Sequence, residues 1–139
     1  MKKVLITGGA LGIGKAIAEK YAASGFEVHV PTRAEMDLSD ERSVQGFIES
    51  HRQIKFDVLV NNAGENIIGG LQELPLTDWK RMQAINITAP FLLTQFVVGF
   101  MKLQEWGRIV NISSAYSTIA RAGRGGYSVT KAAINSLTR

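Results

Sequence analysis

Tyr127 and Lys131 stand four residues apart in the stretch YSVTK. On a helix that spacing stacks the two side chains on one face. An ammonium held beside a phenol favours the phenolate, which suits proton transfer near neutral pH. A solvated surface pair is spelled the same way, so the pair needs support from elsewhere in the chain. A second chemical feature lies near the other end. Gly8, Gly12 and Gly14 fall in TGGALGIG, between an apolar run and a helical pattern. Backbone amides and a helix N-terminus there favour phosphate, and glycine permits a tight turn and the close approach of a pyrophosphate. The loop also comes near a P-loop, since Gly9 to Lys15 reads G-x-x-x-x-G-K. Ala16 follows, where a P-loop needs a hydroxyl to hold Mg²⁺. A plain glycine turn without ligand is the bland alternative.

Composition narrows the setting. The chain has 139 residues, one domain by length, with 45% apolar and 20% charged residues, as in ordinary soluble globular chains. There is no cysteine, which excludes a disulfide framework and a thiolate metal site. His29 and His51 are isolated in sequence, so they are expected to be structural or solvated, and no metal site is expected. The start, MKKVLITGG, is too short in apolar residues for a signal peptide. The longest apolar stretch, APFLLTQFVVGFM, is broken by Thr94 and Gln95 and is expected to fall short of a membrane span. A soluble protein of a reducing compartment, the cytoplasm, is the expectation. The net charge of +4 is uneven: residues 101–139 carry six Lys/Arg against one Asp/Glu. These positive residues are dispersed and lack aromatic interleaving, which argues against a nucleic-acid partner.

The elements that must position these groups alternate along the chain. KVLIT reads as a strand running into the glycine loop, after which Ile13, Ile17, Ala18 and Tyr21 recur at helical spacing. FEVHV reads as the next strand, and MDL (36–38) as a possible very short one. Ser39 or Asp40 caps a helix with Val44, Phe47, Ile48 and His51 on its apolar face. FDVLV is a buried strand opening into NNAG, where Asn61 is expected to tie neighbouring strands. Thr77 or Asp78 caps a long helical segment carrying the stripe Leu93, Phe96, Val97, Phe100 and Met101. RIVNI is the last strand, and YSVTKAAINSLTR the last helix. Strands that are apolar throughout and alternate with helices predict a doubly wound parallel α/β sheet. Too few residues separate FEVHV from MDL for a crossover helix.

Five motifs in order carry a family resemblance. TGGALGIG, NNAG (61–64), AIN ending at Asn86, VNISS ending at Ser114, and YSVTK resemble the motifs of the short-chain dehydrogenase/reductase family. The thirteen-residue interval from Ser114 to Tyr127 fits as well. The branch most alike contains 3-oxoacyl-carrier-protein reductases and many sugar or polyol dehydrogenases. The resemblance implies an NAD(P)-binding Rossmann domain over residues 1–139, with about five of the family's seven strands. It implies hydride transfer between nicotinamide and a small-molecule carbonyl or alcohol, with a catalytic tetrad of Asn86, Ser114, Tyr127 and Lys131. Tyr127 would be the general acid in reduction and the base in oxidation, and Lys131 would also hold the nicotinamide ribose. Ser114 would bind the substrate oxygen, and Asn86 would act through a water reaching Lys131. The cofactor contacts implied are Gly8, Gly12, Ile13, Gly14, Thr32, Arg33, Asp37, Leu38, Asn62, Ala63, Gly64, Tyr127 and Lys131. For Asp37 a capping role competes with contact to adenine.

Departures from the family set further expectations. Members commonly run to about 250 residues, whereas this chain ends inside the helix bearing Tyr127 and Lys131. Either a fragment or a naturally shortened relative fits that ending. Residues 1–139 alone are then expected to turn over poorly, or to be a nucleotide-binding remnant without turnover. Thr32 takes the place of the acidic residue that binds the ribose 2′-hydroxyl, and Arg33 follows it, so NADP(H) is favoured over NAD(H). Pro90 has no amide for the Asn86 carbonyl. A kink is therefore expected there, freeing the carbonyl that the resemblance assigns to the relay water. The resemblance also implies a homo-oligomer, dimer or tetramer, formed through the long helix (about 77–104) and the Tyr-bearing helix. The apolar stripe could serve that purpose or equally be buried against its own sheet. Arg121 and Arg124 precede Tyr127 and point either to an acidic substrate group or to a solvated loop.

Overall fold

The structure is a computed structural model describing residues 1–139. Four short parallel strands, β1 (Lys3–Ile6), β2 (Glu27–His29), β3 (Val58–Asn61) and β4 (Arg108–Asn111), pair in the order β2-β1-β3-β4. Val4 pairs with Val28 on one side and Val58 on the other, and Val60 pairs with Val110. Side chains alternate across a strand, so each strand supplies both layers. Val4, Ile6, Val58 and Val60 pack with Ile17, Ala18 and Tyr21 of α1 (Gly12–Ala23). Leu5 and Leu59 face the opposite layer, built from α2 (Glu41–Ser50) and α4 (Ala89–Leu103). This is the doubly wound α/β arrangement.

The expected fifth strand at 36–38 does not form. Glu35 and Met36 donate their amides to the Thr32 carbonyl (3.1 and 2.9 Å), which closes a turn. The Asp37 amide then goes to Ser43 Oγ (2.9 Å) instead of a neighbouring strand. Met36 is driven into the core, 4% exposed, and Leu38 packs half-buried against the same cluster, so the apolar letters anchor a turn. Asp40 caps α2, accepting from the Arg42 amide at 3.0 Å. His51 stacks on Phe47 with centroids 4.0 Å apart. Ile13, expected on the core face of α1, is 65% exposed.

The long helical segment departs from expectation in three ways. Helix α3 (Leu76–Gln83) starts after Pro75 without a side-chain cap, so Thr77 and Asp78 fall in its first turn. A π-helical segment, Ala84–Thr88, joins α3 to α4, with the Ala89 amide reaching back to the Ala84 carbonyl. Pro90 offers no amide, and a register shifted by one residue carries the helix past that gap. The continuous helix from Leu76 to Leu103 has 28 residues and is, by length and composition, long and apolar enough to cross a membrane. The sequence stretch counted alone was shorter. Leu93, Val97 and Met101 are buried in the core layer of this fold, which marks α4 as a core helix. The last helix, α5 (Gly125–Thr138), follows a short 3₁₀ turn at Ala115–Ser117.

Candidate functional site

In an open parallel sheet the ligand crevice lies at the carboxyl ends of the strands, where the strand order reverses. Here that point falls between β1 and β3. Thr7 Oγ1 accepts from the amides of Asn62 (3.1 Å) and Ala63 (3.0 Å). Asn62 Nδ2 donates to the Thr7 and Gly8 carbonyls, each at 3.0 Å. The glycine loop is thereby tied to the end of β3. Gly8 sits at φ +64°, and a Cβ there would stand 3.0 Å from the Ala63 Cα. A Cβ on buried Gly14 would collide with the Gly8 carbonyl and the Asn62 amide. Gly14→Ala is therefore expected to cost about 1–3 kcal/mol. Denaturant melts of the variant check this. A variant as stable as the parent would contradict the packing described.

A cleft of about 360 Å³ opens beside this loop. It collects Gly8, Thr32, Arg33, Asp37, Leu38, Ala63 and Gly64 from the expected cofactor contacts. Asn62, with its amide engaged by the loop, holds the cleft's wall rather than lining it. Gly12, Ile13 and Gly14 lie outside the lining, at the start of α1. Lys15, the residue that invited a P-loop comparison, is exposed and stands 3.9 Å from Glu19.

At one end of the cleft Glu35 folds back onto Thr32, its Oε2 accepting from the amide (2.7 Å) and the hydroxyl (2.8 Å). These bonds hold the Glu35 carboxyl below its ordinary range. Arg33 Nε donates to Asp37 Oδ2 at 3.1 Å. Asp37 Oδ1 accepts from the Ser39 hydroxyl (2.6 Å) and amide (2.9 Å), and these two bonds foremost lower its carboxyl to about 2. Asp37 thus anchors the loop before α2, while Asp40 is the cap. Sequence reasoning passed over Glu65 and Arg81, which also line the cleft and pair at 2.7 Å.

The Tyr–Lys pair meets the cleft at Gly64. An ideal Cβ on Gly64 would lie 3.3 Å from Lys131 Nζ and 3.5 Å from Asn86 Oδ1. Lys131 is 4% exposed, and its Nζ donates to the Ile112 carbonyl at 2.7 Å. The ammonium stands 5.7 Å from the Tyr127 ring centroid. Burial pushes the Lys131 pKa down. Asn86 is locked by its side chain: Oδ1 accepts from the Glu65 amide, and Nδ2 donates to the Glu65 carbonyl, each at 2.8 Å. Nδ2 also reaches Thr130 Oγ1 at 2.9 Å, and that hydroxyl donates to the Tyr127 carbonyl at 2.7 Å. Thr130 is fully buried and was not singled out from sequence. Ser114 Oγ accepts from the Tyr116 amide at 3.2 Å. The Tyr116 ring packs edge-on against Tyr127, centroids 6.4 Å apart. Asn61 ties β3 to β4 as expected, donating to Asn111 Oδ1 at 2.8 Å.

Residues 32–139 match the family profile described as short chain dehydrogenase; the glycine loop precedes that match. A 3-oxoacyl-[acyl-carrier-protein] reductase of Aquifex aeolicus is 35% identical, over 99% of this chain and 65% of its own. The chain thus spans under two-thirds of that relative's length. Their alignment is longer than the present chain, so the relative carries insertions that this chain lacks. Among solved structures, 4-hydroxyisoleucine dehydrogenase complexed with NADH superposes with a TM-score of 0.91 at 26% identity, covering 99% of this chain and 66% of that one. A metagenomic short-chain oxidoreductase in complex with NADP gives 0.82 at 26% identity, covering 98% and 71%.

Proposed function

Because the chain belongs to the short-chain dehydrogenase family, we propose that residues 1–139 form the cofactor-binding and catalytic core of a nicotinamide-dependent oxidoreductase. Its substrate is a carbonyl compound or the corresponding alcohol. The observation that carries this reading is the meeting of Lys131, Asn86 and the glycine-lined cleft at Gly64. The residues present fit a dinucleotide, since a Cβ on Gly12 at the start of α1 would meet no protein atom within 4 Å and would stand in the open space of the loop. Gly8 and Gly14 allow the loop its close packing on the end of β3.

The glycine loop and the uncapped start of α1 would hold the pyrophosphate. Thr32, Arg33, Asp37 and Leu38 would hold the adenosine end, and Ala63, Gly64 and Lys131 the nicotinamide ribose. Bound there, the nicotinamide supplies or takes up the hydride. Tyr127 gives its phenolic proton to the carbonyl oxygen in reduction and removes it in oxidation. Lys131 favours the phenolate, and Ser114 holds the substrate oxygen as charge develops. Asn86 and Thr130 fix the helix that carries the pair. Homo-oligomerisation, to a dimer or tetramer, would use α4. Leu93, Val97 and Met101 of its stripe are spent in the core and Phe96 packs against it, which leaves half-buried Phe100 with Phe91 and Leu103, 44% and 86% exposed, for a second copy. The absence of cysteine supports a cytoplasmic setting.

NADP(H) is the preferred cofactor in this proposal. Thr32 itself carries no charge and Arg33 is bonded to the chain only through Nε, which favours a 2′-phosphate. The Glu35 carboxylate folded onto Thr32 opposes one, so the preference rests on Arg33. Its two terminal nitrogens can take a 2′-phosphate. NADPH is expected to bind more tightly than NADH, and Arg33→Ala to weaken NADPH by about tenfold or more while sparing NADH. Titration of both cofactors against both proteins tests this. NADH binding as tight as NADPH would overturn the preference.

A further inference from the structure

We propose that Arg121 and Arg124 form a subsite for an anionic group, carboxylate or phosphate, carried by the carbonyl or hydroxyl compound on which Tyr127 acts. It rests on the reading of Tyr127 as the acid–base group. The Arg124 amide donates to the Arg121 carbonyl at 3.1 Å, closing a turn through Gly123 at φ +71°. That turn brings both guanidiniums to one ring. Their central carbons lie 5.9 Å (Arg121) and 5.7 Å (Arg124) from the Tyr116 centroid, and Arg121 Nη1 donates to the Tyr116 hydroxyl at 2.6 Å. Tyr116 in turn packs edge-on against Tyr127, so the two charges stand one ring away from the reacting phenol.

Nothing in the chain neutralises them. All of its ion pairs lie elsewhere, and no Asp or Glu occurs from Trp106 to Arg139. Two like charges gathered without a counter-charge repel each other, and a bound anion relieves that repulsion. Guanidinium forks suit the planar oxygens of carboxylate and phosphate. A hollow of about 260 Å³ lined by Tyr116, Thr118, Arg121 and Ser128 leaves room for such a group on the Arg121 side of the Tyr116 ring.

The test uses two pairs of probes that differ in charge: 4-oxopentanoate with its methyl ester, and dihydroxyacetone phosphate with dihydroxyacetone. Each is titrated into the ¹⁵N-labelled 139-residue chain, with and without NADPH, following the Nε–H signals of Arg121 and Arg124. The expected result is that a charged probe shifts both signals and binds about tenfold or more tightly than its neutral partner. The Arg121→Ala/Arg124→Ala variant should lose that advantage yet bind NADPH as the parent does. Whichever charged probe keeps the advantage identifies the anion. Equal binding of charged and neutral probes, or an unchanged double variant, would overturn the subsite. Failure of NADPH to bind the parent would sink the oxidoreductase reading instead, and the titrations without NADPH would still decide the subsite.

Discussion

In the protein extended to the length of its relatives, Tyr127→Phe is expected to lower NADPH-dependent carbonyl reduction by about 10²–10⁴-fold while leaving NADPH affinity and stability essentially unchanged. Residues 1–139 alone are expected to turn over poorly or not at all. The separation follows from where the hydroxyl stands. The ring is half-buried and packs edge-on against Tyr116, and Phe keeps that packing. The Tyr127 carbonyl, not its hydroxyl, accepts from Thr130, so removing the oxygen orphans no buried partner. Only the proton donor is lost. Single-turnover reduction of a panel of ketones and aldehydes, run beside a melt and an NADPH titration, reads the three quantities separately. An active variant would remove Tyr127 from the chemistry, whereas a variant that fails to fold would contradict the packing.

Lys131→Met should abolish most of the same activity, about 100-fold or more, without destabilising the fold by more than about 1–2 kcal/mol. Met matches the length of the stem and avoids burying an ammonium, which offsets the loss of the 2.7 Å bond to the Ile112 carbonyl. The sign with pH is fixed by the lowered pKa. Between that lowered value and the ordinary 10.5, the unfolded chain holds a proton that the folded chain has released. Lys131 therefore costs stability below this window, and the cost fades as pH rises through it. The parent should gain stability relative to the variant as pH rises through this window. A gap that widens in the variant's favour would contradict the burial argument. Retained activity would contradict the role of the ammonium.

How much of this could be read in advance depended on how local each cause was. Short apolar runs ending in TGG and NNAG mark strands because glycine and asparagine stop them and apolar side chains fill both faces. The Tyr–Lys pair was legible for the same reason, being one helical turn apart. Thr130, Glu65 and Arg81 were not. Their partners are Asn86, forty-four residues from Thr130, and each other, sixteen residues apart, and no local spelling marks such bonds. The stripe on α4 fitted a partner or the chain's own sheet, and only the sheet's position assigned Leu93 and Val97 to the core. Met36 misled in the opposite direction, because one buried anchor in a turn looks like a fragment of strand. Pro90 announced a disturbance, but the π-helical register that accompanies it here is not spelled by the proline alone.

The most direct test of the central claim is transfer of deuterium from C4-deuterated NADPH to a ketone by the protein extended to the length of its relatives, taken as the parent, and by its Tyr127→Phe variant. Residues 1–139 alone are expected to transfer label poorly or not at all. The expected result is an alcohol labelled at its carbinol carbon with the parent, at a rate that falls about 10²–10⁴-fold in the variant while both proteins bind NADPH alike. Label transfer at the same rate in both would contradict the assignment of Tyr127. Saturable NADPH binding with no transfer to any ketone or aldehyde would contradict the enzyme itself and leave a nucleotide-binding protein.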